Sequence, residues 1–226
     1  SALDRARVYG RDYGVYIGDT ATADIINCNG QLMGMEDVLC HLQTRNEAAL
    51  AFMRRRADFQ LKLLERLLDK CKDYVDFVWF GEDLGTQHSP MISRELYLEI
   101  MKPIHQQFFD LAKAYGKPSI IHTCGSSSWV YEDFIEMGVA GVDTLQPEAA
   151  NMSPEYLKAR FGSRLCYRGC ISTAGPLACC FSQVFPWSRY FTNGAGQAWS
   201  KAPLRKRVLG YIPFAVNQER SIFNEE

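Results

Sequence analysis

The chain alternates short apolar runs with longer stretches whose apolar residues recur at helical spacing. Runs at residues 76–80 (DFVWF), 118–121 (PSII), 141–145 (GVDTL) and 164–169 (RLCYRG) are bounded by Gly, Pro and polar clusters, the pattern of buried strands. Residues 13–18 add a candidate strand, while the rest of residues 1–30 shows no clear periodicity. Residues 34–42 read as a short helix. Residues 46–72 read as a long one, with Leu50, Met53, Ala57, Leu61, Leu64 and Leu68 on a single face. Ser93 is the expected cap of a helix through Glu95, Leu96 and Tyr97, which Pro103 kinks or divides before residues 104–115 and a stop at Gly116. Helical spacing returns at residues 129–137, and Ser153-Pro154 is an N-cap followed by proline for a helix to Arg160.

Strands separated by helices predict βαβ units and a parallel sheet. No G-x-G-x-x-G run follows a strand, which disfavours a dinucleotide fold. Polar residues gather at several strand ends at once, as in a (β/α) barrel of TIM type, whose active site draws on many strand ends.

The strand at 118–121 ends in His122-Thr-Cys124-Gly125. Side chains alternate along a strand, so the imidazole and the thiol point to one side and suit a metal or an activated thiol. The plainer alternative is a hydrogen-bonded buried histidine beside an inert cysteine. Residues 81–87 (GEDLGTQ) put Glu82 and Asp83 at another strand end, where carboxylates bind metal, act as general base, or merely cap a helix. Gln87, Gln146 and Ser172 are candidates for substrate binding on the same rim, and Cys170 is a third thiol or ligand candidate. His105 lies inside a helix and reads as structural, and His41 and His88 make no stronger case. Arg54, Arg55 and Arg56 read as the solvated face of the long helix rather than a nucleic-acid patch.

Composition bounds the remaining classes. With 226 residues, 47% of them hydrophobic and a net charge of -1, a single soluble domain is expected, with no nucleic acid or membrane as partner. No apolar run approaches the about 18 residues of a membrane span and no export signal opens the chain, so the cytoplasm is the expected location. The eight cysteines are too dilute for a disulfide scaffold and read as reduced thiols.

Residues 81–87, the Ser93 helix with Lys102-Pro103, His122-Thr-Cys124-Gly125, residues 143–147 (DTLQP) and residues 161–169 (FGSRLCYRG) occur in the order found in the uroporphyrinogen decarboxylase superfamily. The resemblance spans residues 30–178 and implies a (β/α)8 barrel, incomplete here because the early strands are missing. His-x-Cys-Gly resembles most the branch of the methylcobalamin:coenzyme M methyltransferases, in which this His and Cys ligate zinc together with a later Cys. That implies zinc at His122 and Cys124, with Cys170 as a further candidate and Glu82 or Asp83 supplying another ligand or holding an incoming group. It also implies a corrinoid on a partner protein as methyl donor and a small thiol as acceptor. The alternatives are a metal-free uroporphyrinogen-III decarboxylase of porphyrin biosynthesis, whose N-terminal arginine segment has no counterpart here, and an inactive fragment or binding-only paralogue. A homo-oligomer is left open.

The division expected is a partial barrel over residues 1–178 and a divergent tail over 179–226. The tail has no Asp, and its residues 179–197 show neither helical nor alternating periodicity, as a frameshifted or poorly ordered segment would.

Overall fold

The computed structural model describes residues 2–10, 12–170 and 207–212. Its elements run α1 (Ala2–Tyr9), β1 (Tyr13–Gly18), α2 (Ile26–Met33), α3 (Met35–Thr44), α4 (Glu47–Cys71), β2 (Phe77–Gly81), the single turn α5 (Arg94–Leu96), a π-turn (Tyr97–Met101) and α6 (Lys102–Ala114). They continue with β3 (Ser119–His122), α7 (Tyr131–Glu136), β4 (Val139–Leu145), α8 (Pro154–Phe161), β5 (Cys166–Gly169) and β6 (Arg207–Ile212).

The strands form one parallel sheet in the order β5-β4-β3-β2-β1-β6. Sequential neighbours β1 to β5, with helices between them, curl into part of a (β/α) barrel. The α/β class and incomplete TIM-type barrel expected from the sequence are found. Val78, Phe80, Ile121 and Val142 lie on the face covered by helices and are at most 1% exposed. Phe80 sits between Phe108 and Phe109 of α6, ring centroids 6.2 and 5.2 Å away. Burying each such ring contributes about 1.5–3 kcal/mol.

The helix signals act as their chemistry dictates. Asn46 Oδ1 accepts the Ala49 N–H at 3.0 Å to cap α4, whose Leu50, Met53, Ala57, Leu64 and Leu68 are buried. Ser93 and Ser153 cap α5 and α8 in the same way. Pro103 has no N–H to donate, and the helix slips through the π-turn just before it. Gly116 ends the segment with φ +67.

Three elements depart from the sequence reading. Helices α1 and α2 occupy the stretch that showed no periodicity. Arg54 and Arg55 are exposed, but Arg56 turns inward and donates to the Asp24 carbonyl at 2.7 Å. Strand β6 lies within residues 179–226, where no element was expected, and pairs with β1. Ser172 lies outside the described residues. Cys28, Cys40, Cys71, Cys124, Cys166 and Cys170 are free thiols. No helix among the described residues is long and apolar enough to cross a membrane.

Candidate active site at the strand carboxyl ends

Gly81 of β2 stands beside His122 of β3, and the Glu82 N–H donates to the His122 carbonyl at 3.0 Å. Residues just past each strand therefore emerge side by side. His122 and Cys124, two positions apart, share a side, and Cys124 Sγ lies 3.3 Å from His122 Nε2. Asp83 Oδ1 is 3.6 Å from the same nitrogen and accepts the Cys124 N–H at 2.7 Å. One ligand atom from each of Asp83, His122 and Cys124 lies within 4.8 Å of the other two, so these residues could hold a metal ion.

A second layer fixes these groups. Asp83 Oδ2 accepts the Asn27 side-chain amide at 3.0 Å. His122 Nδ1 lies 3.3 Å from Asp143 Oδ1, near enough for an ion pair although not aligned as a hydrogen bond. Asp143 stands opposite His122 in the β3–β4 register, is fully buried, and accepts from Arg168 Nη1 at 3.0 Å. Burial opposes a proton on His122. Asp143 and the Cys124 sulfur outweigh that cost, and the imidazole is pushed up to about 10.

A cavity of about 440 Å³ opens beside the group, lined among others by Asp24, Asn27, Gln31, Asp83 and His122. Burial, reinforced by the neighbouring Glu82, pushes Asp24 up to about 8. Burial and then the charge of Asp24 push the Cys28 thiol up to about 12.

The two carboxylates expected on the rim part company. Successive side chains leave a strand end in opposite directions, so Asp83 faces the cavity while Glu82 enters the layer between sheet and helices. Glu82 is fully buried, and its oxygens accept the Ile25 and Ile26 N–H groups at 2.7 and 3.1 Å. It therefore does not reach the cavity as a rim acid or base. His105, assigned only a structural part from sequence, places Nε2 3.2 Å from Glu82 and Nδ1 3.3 Å from the Tyr97 hydroxyl.

Cys170 does not join the ligand group. It follows β5, with β4 interposed before β3, and packs against the hydrophobic core. Gln87 and Gln146 meet each other instead: Gln87 Nε2 donates to Gln146 Oε1 at 2.9 Å, and the same oxygen accepts the Gly125 N–H at 2.9 Å. They brace the turn after Cys124. Asn27 and Asp143 were missed as site residues. A lone carboxylate within an otherwise apolar strand was a signal for Asp143, whereas Asn27 sits on an unrecognised helix.

None of the curated proteins and none of the solved structures matches the chain. The family model described as Uroporphyrinogen decarboxylase (URO-D) matches residues 20–176, a span that takes in Asp24, Asn27, Asp83, His122, Cys124 and Asp143. The chain belongs to the uroporphyrinogen decarboxylase family.

Proposed function

We propose that this family member is of the zinc- and corrinoid-dependent methyltransferase type, passing a methyl group from a corrinoid on a partner protein to the sulfur of a small thiol. The observation that carries the reading is the convergence of Asp83, His122 and Cys124. Zinc bonds of about 2.0–2.2 Å to N and O and about 2.3 Å to S, in a tetrahedron, separate N from S by about 3.5 Å and N from O by about 3.4 Å. The distances of 3.3 Å from His122 Nε2 to Cys124 Sγ and 3.6 Å to Asp83 Oδ1 fit those edges.

Three protein ligands leave a coordination position for substrate, the pattern of catalytic rather than structural sites. Zinc held there would lower the pKa of a bound thiol and so supply a thiolate nucleophile near neutral pH. The protein's own part is orientation. Asp143 sets a buried carboxylate 3.3 Å from the far nitrogen of His122, an ionic counterpart of the carboxylate–histidine arrangement that fixes ring position in metal sites. Asn27 and the Cys124 N–H hold both oxygens of Asp83. The cavity of about 440 Å³ has the volume of a small-molecule site.

Elemental analysis of the purified protein and of Cys124→Ser tests the reading. Stoichiometric zinc in the wild type, lost in the variant, is expected, followed by methylation of a thiol from a methylated corrinoid. A wild type without zinc would overturn it and leave an inactive remnant or, in second place, a metal-free decarboxylase.

A further inference from the structure

We propose that the buried pair Glu82–His105 is a positioning device for Asp83, in which His105 holds Glu82 against the first turn of α2 and α2 holds Asn27 against Asp83. The inference rests on the metal-site reading above.

Glu82 and His105 are each fully buried, and they join elements far apart in sequence: the end of β2, the start of α2 and the first turn of α6. The contacts of His105 with Glu82 and Tyr97 fit one hydrogen-bonding pattern. With the ring proton on Nε2, the Tyr97 O–H donates to His105 Nδ1 and His105 Nε2–H donates to Glu82 Oε2, while the Ile25 and Ile26 N–H groups complete the carboxylate. A neutral imidazole with its proton on Nε2 satisfies this chain, and burial keeps His105 neutral by lowering it to about 4.

The consequence for the site follows from adjacency. Glu82 precedes Asp83 in the chain, so anchoring Glu82 sets the backbone from which the Asp83 carboxylate projects. Asn27 follows Ile26, so the same carboxylate also sets the residue that donates to Asp83 Oδ2 at 3.0 Å. Asp83 and its partner are thus both referenced to Glu82. Asp24 Oδ1 accepts the Cys28 N–H at 2.6 Å in the first turn of α2, and Glu82 satisfies the Ile25 and Ile26 N–H groups at the helix start. His105 touches neither the cavity nor the ligand group, and it acts through Glu82.

Zinc affinity by chelator competition and the visible spectrum of the Co(II)-substituted protein test the proposal in the full chain. His105→Leu removes the donor to Glu82 and is expected to weaken zinc about 10- to 100-fold, the usual effect of losing an outer partner, and to alter the Co(II) bands. His105→Gln keeps an N–H donor and should stay within about 3-fold of wild type. Phe109→Leu, whose ring lies 6.2 Å from the His105 ring in the same helix, separates positioning from general loosening. It should lower the melting temperature while keeping affinity within about 3-fold. Glu82→Gln, which preserves side-chain volume, is a second route to the same loss if His105→Leu does not fold. Wild-type affinity and spectrum in His105→Leu or Glu82→Gln would overturn the proposal alone, as would an equal loss in Phe109→Leu. A wild type that takes up neither metal would overturn this proposal and the metal-site reading together.

Discussion

His122 and Asp143 face each other across the β3–β4 register, Nδ1 3.3 Å from Oδ1, with the carboxylate fully buried and its other oxygen tied to Arg168. The sheet itself therefore aims the imidazole, because neighbouring strands place these residues side by side. The same ionic contact engages Nδ1 without an aligned hydrogen bond, and Nε2 faces Asp83 and Cys124.

A proton held on His122 up to about 10 must leave before Nε2 can ligate a metal. Zinc affinity should therefore climb as pH rises from 6.5 toward 10. Asp143→Asn removes the charge that retains this proton. A lower His122 pKa in an NMR titration is expected, with zinc about 10- to 100-fold weaker at pH 9 from lost orientation. An unchanged titration would mean that Asp143 does not set the proton affinity of His122.

The metal-free fold should lose stability with rising pH. The Asp24 pKa is raised from 3.8 to about 8, so its contribution is complete below 3.8 and is lost as pH rises through about 8. The His122 pKa, raised from 6.5 to about 10, contributes fully below 6.5 and is lost through about 10. Asp24→Asn, which can still accept the Cys28 N–H, removes the cost of a buried charge. Denaturation at pH 9 should find the variant more stable by on the order of 2 kcal/mol, and at pH 4 the difference should nearly vanish. A variant equally stable or weaker at pH 9 would show that Asp24 is ionised at no such cost.

Gly125 has φ +70, and a Cβ there would collide with the Gly85 carbonyl oxygen. Gly125→Ala therefore forces the loops carrying Asp83 and Cys124 apart. A loss of at least about 2 kcal/mol is expected in denaturant unfolding, with zinc binding falling alongside it. Zinc affinity that survives a large loss of stability would show that the two loops move as one.

What could be read from sequence was what local pattern encodes. The long face from Leu50 to Leu68, the caps Ser93 and Ser153, and the strands at Phe80 and Ile121 each follow from neighbours a few residues away. The pairing of His122 with Cys124 follows from alternation alone. Hidden were the relationships that depend on register and crossing. Helix α2 has a local acceptor in Asp24 for the Cys28 N–H, but the Ile25 N–H is taken by Glu82, 57 residues away, which no local pattern announces. Asp143 needed the β3–β4 register to meet His122. Parity separated Glu82 from Asp83, but only the layer beneath β2 shows which of them faces the cavity.

The cysteines offer a chemical map of this arrangement. Cys40 is exposed, Cys124 is half-buried beside His122 and Asp83, and Cys28 lines the cavity with its thiol pushed up to about 12 by burial and by Asp24. At pH 8 a thiol titrating near 12 is ionised in roughly one molecule in 10⁴, and the thiolate is the species that iodoacetamide attacks. Cys28 should therefore stay unlabelled although it borders open space, whereas Cys40 labels with or without zinc. Cys124 should label in the metal-free protein and be protected when zinc is added, because ligation occupies its sulfur. Peptide mapping by mass spectrometry reads each position separately. Labelling of Cys28 as fast as Cys40 would show that Asp24 and burial do not hold its proton. A Cys124 rate indifferent to zinc would remove sulfur from the ligand set and leave Asp83 and His122 alone.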